Sequence, residues 1–411
     1  MDYSNLPISA EAEVVICGGG TAGAFAAKAA ADMGRDVLVV EQLGSLGGTS
    51  TNGLVTPVMH THIETDPQCS YIANIIRDEL LEIGGCNETG TKFDPLLLKM
   101  VMESICAKAG VRFLYHTFIA DVVKKDDAID YIVVCNKGGL SKVKAKIFID
   151  CTGDADVCVR AGAKYTKGNP DTGKNQPVSF RYIVDGVDIP AFGEFLVNEV
   201  KRTGVDSACG YYNGEIYAAC CAANEWTLDD VFYRAIDAGD LTVQDKAYWQ
   251  VFGIPGRKDS LAFNNPEFFE HTDATNPDDM SKIEVEGKAA ILRQLKFYKK
   301  YFKGFENAYI AEISAIVGIR ESRNVVTEQV LTAEDLLCRR KFDDMFCQSN
   351  YPVDIHGAVL NFDASLFKPV EDGKPWYEIP FGSLVVKGID NLFVAGRCMG
   401  AEFLAQSSLR V

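Results

Sequence analysis

The stretch Ala12–Glu41, AEVVICGGGTAGAFAAKAAADMGRDVLVVE, constrains the fold more than any other part of the chain. Val14, Val15 and Ile16 form an apolar run suited to a buried parallel strand, and Gly18, Gly20 and Gly23 follow with the spacing G-x-G-x-x-G. The three glycines serve different ends, namely a tight turn, close approach of backbone to a pyrophosphate, and close packing of helix on strand. The alanines between Ala24 and Ala31 predict a small-residue helix. Its N-terminus, at Thr21 and Ala22, turns free N–H groups and a positive dipole end toward phosphate. Gly34 stops the helix, and a second strand from Asp36 to Val40 delivers Glu41, followed by Gln42, where a carboxylate can accept hydrogen bonds from an adenosine ribose. Together these pieces specify a dinucleotide-binding unit. An acid at the ribose position argues against a 2′-phosphate and leaves FAD and NAD as the alternatives.

The rest of the chain limits its partners. With 41 basic and 57 acidic residues in 411, the net charge is -16, which disfavours nucleic acid and anionic membrane as partners because phosphate binding needs a basic surface. No run approaches the roughly 18 apolar residues of a membrane span, and Met1–Ala10 lacks the charged and apolar regions of a signal peptide. A cytoplasmic location is the expectation. The 13 cysteines, among them Cys17, Cys106, Cys135 and Cys151, form no C-x-x-C, so no metal site is expected and buried free thiols in a reducing compartment fit best. Cys220 and Cys221 are adjacent, and core packing is expected there ahead of a vicinal disulfide.

After Glu41 a loop of glycines and hydroxyl residues runs from Gln42 to Gly53, a composition that lets backbone donors approach a cofactor. His60 and His62 follow; a structural role is expected for both ahead of contact with, or attachment to, a flavin. Helices are predicted over Ser70–Ile83 and from an Asp94 cap with Pro95 through Ile105 to Gly110, then a strand over Val111–Tyr115. Phe118–Val123, Ala128–Asn136 and Ser141–Ala145 read as a three-stranded antiparallel meander, and Ile147–Asp150 as a strand entering the glycine turn Cys151–Asp156. Beyond Lys167 the pattern changes. Val178–Val184 reads as strand, Thr227–Ala238, Asp278–Phe302 and Ala311–Ile316 as helix, and the Pro- and Asn-rich Gly253–Asn276 as exposed loops. Strand and glycine signals return near Phe381. Asn391–Arg397 reads as a short buried strand ending in Gly-Arg, and Ala401–Leu409 as a helix beside it.

Three separated blocks resemble the motifs of two-dinucleotide-fold flavoproteins: Gly18–Gly23 with Glu41, Phe148–Asp154, and Leu392–Arg397. Gly318–Arg323, Leu331–Asp335, Lys341–Asp344 and Tyr351–His356 resemble the FAD-dependent oxidoreductase family related to fumarate reductase flavoprotein subunits. The resemblance covers nearly the whole chain and decides for FAD over NAD. It implies an α/β fold with a Rossmann-like FAD-binding domain and an antiparallel meander; the change of pattern at Lys167 and the return of glycine motifs after Pro375 place that domain at 1–166 and 376–411 and an inserted α+β substrate domain at 167–375. It also implies that Gly18, Gly20 and Gly23 hold the pyrophosphate and Glu41 the ribose. Gly47, Gly48 and Thr49 would lie along the flavin, Gly153 and Asp154 near the adenosine half, and Gly396 and Arg397 at the ribityl chain and isoalloxazine.

A flavin stores the electrons, so the protein must place the substrate carbon and manage a proton. Arg320, Glu321, Arg323, Asp354 and His356 are the candidates: arginine clamps carboxylates or enolates, and histidine titrates near neutrality. Period-2 alternation in Tyr351–His356 points Asp354 and His356 to one side, where the acid would orient the base. A structural ion-pair network joining the two domains is the competing reading. The expected activity is hydride transfer between a small polar metabolite and FAD, as a dehydrogenase or a C=C reductase. A flavin-binding electron-transfer or assembly subunit without its own turnover is the alternative. The absence of a second G-x-G-x-x-G argues against pyridine-nucleotide disulfide reductases. The electron acceptor or donor is unidentified, and a homo-oligomer stays open.

Overall fold

The computed structural model describes residues 2–58, 71–205, 209–212, 215–221, 225–356 and 374–410, with the side chains of 212, 220 and 221 outside that set. His60, His62 and the Cys220 and Cys221 side chains thus lie outside the described residues. The N-terminal unit forms β1 (Ile8–Cys17), α1 (Thr21–Asp32) and β2 (Val37–Val40). Next come α2 (Tyr71–Glu82), α3 (Pro95–Lys108), β3 (Arg112–Leu114), β4 (Phe118–Lys125), β5 (Ala128–Asn136) and β6 (Gly139–Asp150). The chain continues through α4 (Asp156–Arg160), β7 (Tyr165–Lys167), β8 (Val178–Ser179), β9 (Tyr182–Asp185), α5 (Ile189–Thr203), β10 (Cys209–Tyr212) and β11 (Glu215–Cys221). Then follow α6 (Asp229–Asp237), α7 (Val243–Ala247), β12 (Tyr248–Gly253), β13 (Leu261–Phe263), β14 (Glu267–Phe268), α8 (Pro277–Tyr301) and β15 (Tyr309–Ile313). The last elements are β16 (Arg323–Val325), α9 (Ala333–Leu337), β17 (Met345–Ser349), β18 (Tyr377–Pro380), β19 (Leu392–Val394) and α10 (Phe403–Ser407).

The first sheet has the order β3-β2-β1-β6-β5-β4, with β19 also on β6. Its organising strand is β6, a single element where the sequence predicts two. One edge of β6 pairs in parallel with β1 from Lys142 to Asp150. Its other edge serves β5, antiparallel, at Gly139–Val143 and then β19, parallel, at Phe148–Asp150. The meander and the nucleotide-binding strands therefore share one continuous backbone ladder. Helix α1 packs Gly23, Ala24 and Ala27 against this sheet, where small side chains allow close approach. Helix α3 starts as its sequence predicts, with Asp94 accepting the Leu96 N–H at 2.9 Å and Pro95 in the first turn. Cys17, Cys106 and Cys151 are buried free thiols, whereas Cys135 faces solvent.

The second sheet is antiparallel throughout, in the order β10-β11-β12-β13-β9-β15. Helices α5, α6 and α8 supply Phe192, Phe232 and Phe297 to one core cluster that also holds the fully buried Trp249 and Tyr298. Each fully buried phenylalanine contributes roughly 1.5–3 kcal/mol. Ala311–Ile316, predicted helical, instead supplies most of edge strand β15. Alanine and glutamate favour helix locally, but pairing with β9 satisfies the backbone and wins. Gly253–Asn276, predicted as exposed loops, contains β13 and β14, and Asn265 and Glu267 within it are fully buried. There the polar side chains bond inward, Asn265 Nδ2 donating to Gln294 Oε1 at 2.7 Å.

The second core draws on residues from Val178 to Val317, while Val325, Leu331 and Leu336 already belong to the core of the first sheet, together with Tyr377 and Ile379. Packing therefore passes back to the first layer near Val325, well before the boundary at 375 expected from the return of glycine motifs. Residues 325–356 carry no flavin-type glycine turn, so motif spacing gives no sign of this return.

Candidate active site

At the end of β1 the chain turns at Gly18, with φ +98°, and a Cβ there would lie 2.6 Å from the Cys151 carbonyl oxygen. Only glycine allows β1 and the turn after β6 to meet so closely. At Gly20, the N-cap of α1, an added Cβ would meet nothing nearer than that carbonyl at 4.0 Å, and no side chain caps the helix. The Gly47–Thr49 turn docks alongside: the Gly47 N–H donates to Gly19 O at 2.9 Å, and Thr21 Oγ1 to Gly47 O at 3.0 Å. Glu41 is buried and accepts the Gly19 N–H at 2.6 Å and the Leu43 N–H at 2.7 Å, while its neighbour Gln42 faces solvent.

Beyond β6, Asp150 folds the next turn by accepting Thr152 N–H at 3.0 Å and Cys158 N–H at 2.8 Å. Asp154 accepts from Ser322 Oγ at 2.6 Å and from Arg397 Nη2 at 2.9 Å. The Arg397 guanidinium lies over Gly153, where a Cβ would sit 2.7 Å from its Cζ. Arg397 is thus fastened to the Gly153–Asp154 turn, although its motif implies a place at the ribityl chain and isoalloxazine. Gln406, buried on α10, donates to Arg320 O at 2.9 Å and Arg397 O at 3.1 Å. One side chain thereby ties the flavin-type turn to the charged cluster described next.

Arg320 donates to Pro177 O at 2.7 Å, pairs with Glu267 at 2.8 Å, and places Nη2 3.3 Å from His356 Nδ1. His356 Nδ1 lies 2.8 Å from Glu267 Oε1. An ionised carboxylate only accepts, so Nδ1 carries the hydrogen that points at Glu267. Glu267 therefore has the orienting place that the sequence assigns to Asp354. Residues 350–355 form no strand, yet Asp354 Oδ1 still comes within 3.7 Å of Nε2, which is beyond hydrogen-bond reach. Asp354 is held by the Tyr351 hydroxyl at 3.0 Å and by Arg410. The Tyr248 ring stacks on His356 at 4.3 Å.

Burial opposes ionisation of Glu267, but Arg320 and His356 outweigh it and hold the carboxyl below its ordinary range. Burial likewise works against Asp354, and His356 with Arg410 reverses it. Burial lowers Arg181 to about 9, helped by the like charge of Arg320, and lowers Arg410 to about 10. Two of the sequence candidates sit elsewhere. Arg323 pairs with Asp156 at 2.6 Å. Glu321 accepts from Gly168 N–H at 3.0 Å and Asn175 Nδ2 at 2.7 Å, its carboxyl pushed up by burial.

The model of the family described as FAD dependent oxidoreductase matches residues 13–411. The chain belongs to this family. Among its relatives, the digeranylgeranylglycerophospholipid reductase of Methanosarcina acetivorans is 27% identical, over 47% of this chain and 50% of that protein. The thiamine thiazole synthase of Methanococcus vannielii is 30% identical, over 41% of this chain and 64% of that protein. The chain spans about half the length of the curated reductases it matches. A solved geranylgeranyl bacteriochlorophyll reductase-like protein of Thermoplasma acidophilum is 15% identical, with TM-score 0.42, over 77% of this chain and 67% of that one.

The residues of this FAD-dependent oxidoreductase fit the cofactor the family implies. The uncapped α1 terminus with open space at Gly20 suits a pyrophosphate. Arg397 Nε is buried without a hydrogen-bond partner among the described residues. Glu41 can still accept from a ribose, since each oxygen spends only one lone pair on backbone. Among the described residues, no helix is long and apolar enough to cross a membrane.

Sequence reasoning misses Arg181, Tyr248, Glu267 and Arg410. One signal was present for Arg181: it interrupts the apolar run Val178–Val184, and a buried arginine demands a partner. For Glu267 there was none, because its neighbours read as loop.

Proposed function

We propose that this oxidoreductase moves a hydride between FAD and a carbon of a small polar metabolite, with His356 handling the matching proton. The observation that carries the reading is the His356–Glu267 contact at 2.8 Å inside a buried cluster with Arg320. Glu267 fixes the tautomer and steadies positive charge arriving on the ring, and Nε2 is the atom that takes or returns the proton. Bound FAD supplies the two-electron acceptor or donor. Dehydrogenation is the direction we favour, because the fixed tautomer presents a base. A polar metabolite suits these buried charges better than the isoprenoid chain named for the reductase relatives. Gly18, Gly20, Thr21, Ala22 and Gly23 would hold the pyrophosphate, Glu41 the ribose, and Gly47–Thr49 the flavin side.

Replacing His356 with Ala tests the assignment. Wild-type protein should bleach anaerobically with a member of a metabolite panel, while the variant keeps its flavin content and bleaches at least about 100-fold more slowly. Native-rate bleaching of the variant removes His356 from the chemistry. Yellow wild-type protein that no metabolite bleaches favours a flavin-binding subunit without turnover.

A further inference from the structure

Where the flavin-side loop meets the second sheet, three buried donors from separate segments lack protein partners among the described residues. Arg181 lies in the short break between β8 and β9 and is 7% exposed, Ser314 follows β15 at 4%, and Asn52 lies behind the Gly47–Thr49 turn at 8%. Backbone bonds stitch them together: Ser314 N–H donates to Arg181 O at 2.9 Å, and Ala315 N–H to Asn52 O at 2.8 Å. Yet Arg181 Nε, Ser314 Oγ and Asn52 Nδ2 have no hydrogen-bond partner among the described residues. Buried polar atoms are ordinarily paired, so an unpaired set at one seam points to a ligand.

The charges say which kind. The charge of Arg320 acts on both Arg181 and Arg410; the carboxylate facing Arg181 is Glu267, and those facing Arg410 are Asp354 and Glu267. Glu267 is already matched by Arg320 at 2.8 Å, and Asp354 by Arg410 at 3.5 Å. Arg181 has no such partner among the described residues, which leaves its guanidinium charge uncompensated. A single carboxylate balances that charge, and its two oxygens suit the planar fork.

We propose that Arg181 anchors a carboxylate of the substrate, with Ser314 Oγ and Asn52 Nδ2 as neighbouring donors. This rests on the reading of the cluster as a substrate site and narrows the metabolite to a small carboxylic acid.

The test is a titration of oxidised holoprotein with acetate, lactate, succinate and benzoate against their amides, followed by flavin absorbance and by heat. At least one acid should bind while its amide binds tenfold or more weakly. Arg181→Gln should weaken that acid about 10- to 100-fold, the worth of a hydrogen bond to a charged group, with flavin content unchanged. Arg181→Lys should recover part of the loss, and the milder Ser314→Ala should weaken the acid severalfold. The proposal is overturned if acids bind no better than amides, if none binds, or if Arg181→Gln binds them as the wild type does. It also falls if Arg181→Gln shifts the flavin midpoint potential and leaves acid affinity alone, which assigns the guanidinium to the cofactor. The His356→Ala protein separates the two readings. Acid binding that persists while no protein is bleached by any metabolite keeps the anchor and removes the hydride transfer.

Discussion

The cofactor end and the charged cluster are built in different ways. At the cofactor end the work is done by backbone: a turn at φ +98°, a helix terminus with no side-chain cap, and a second turn bonded to the first through Gly19 O. All of it lies within the first 53 residues plus two short turns. The cluster is made of side chains from five separate stretches, Arg181, Glu267, Arg320, His356 and Arg410, which lie outside the strands of the second sheet. Its charges work in a medium that excludes water, where a missing partner is expensive. A backbone site should therefore fail by steric intrusion, and a side-chain site by loss of charge balance.

The sharpest way to break the comparison is at Gly18. A valine there meets the Cys151 carbonyl 2.6 Å from its Cβ and must also adopt φ +98°. Backbone strain and overpacking together reach about 6 kcal/mol. Gly18→Val should purify colourless or fail to fold, measured as flavin per protein and by far-ultraviolet dichroism. A yellow, fully loaded variant would show that the turn is not where backbone and cofactor meet.

Next in size is Glu267→Gln, which leaves the buried Arg320 without its carboxylate 2.8 Å away. Breaking a buried pair costs about 3–5 kcal/mol, so the denaturation midpoint should fall clearly while purified protein keeps its flavin. The pH dependence follows from the same group. Its folded pKa lies below the ordinary 4.5, so its contribution is present above that value and is lost as pH falls through the folded pKa. The stability gap between wild type and Glu267→Gln should shrink as pH drops below the ordinary value of 4.5. A gap that widens in acid would mean that Glu267 is protonated in the native protein.

The same contrast explains what could be read from the sequence. Gly18, Gly20, Gly23 and Glu41 sit in fixed register around one helix, so their spacing alone predicts their meeting. The meander was legible because its strands are neighbours in sequence, although β6 merges what read as two pieces. Glu267 was not legible. It lies 89 residues from His356, and its strand β14 pairs with β8, far from His356 in sequence. Arg323 misled in the opposite sense: three residues from Arg320 in a short arginine-rich segment, it faces β7 and Asp156 instead of the cluster. Identical chemistry three residues apart parts company because β16 pairs antiparallel with β7 and turns the side chain away.

Arg323 accordingly supplies the smallest predicted effect and the finest test. Its guanidinium lies 2.6 Å from Asp156 with side-chain exposures of 13% and 29%, so solvent screens the pair and its worth is about 0.5–1 kcal/mol. Arg323→Gln should lower the denaturation midpoint slightly and leave both flavin content and the rate of anaerobic flavin reduction as in the wild type. Arg320→Gln, three residues earlier, should impair that rate together with acid affinity, because Arg320 touches both Glu267 and His356. If Arg323→Gln slows reduction as much as Arg320→Gln does, the boundary between frame and cluster lies beyond β16, and Asp156 with it belongs to the working site.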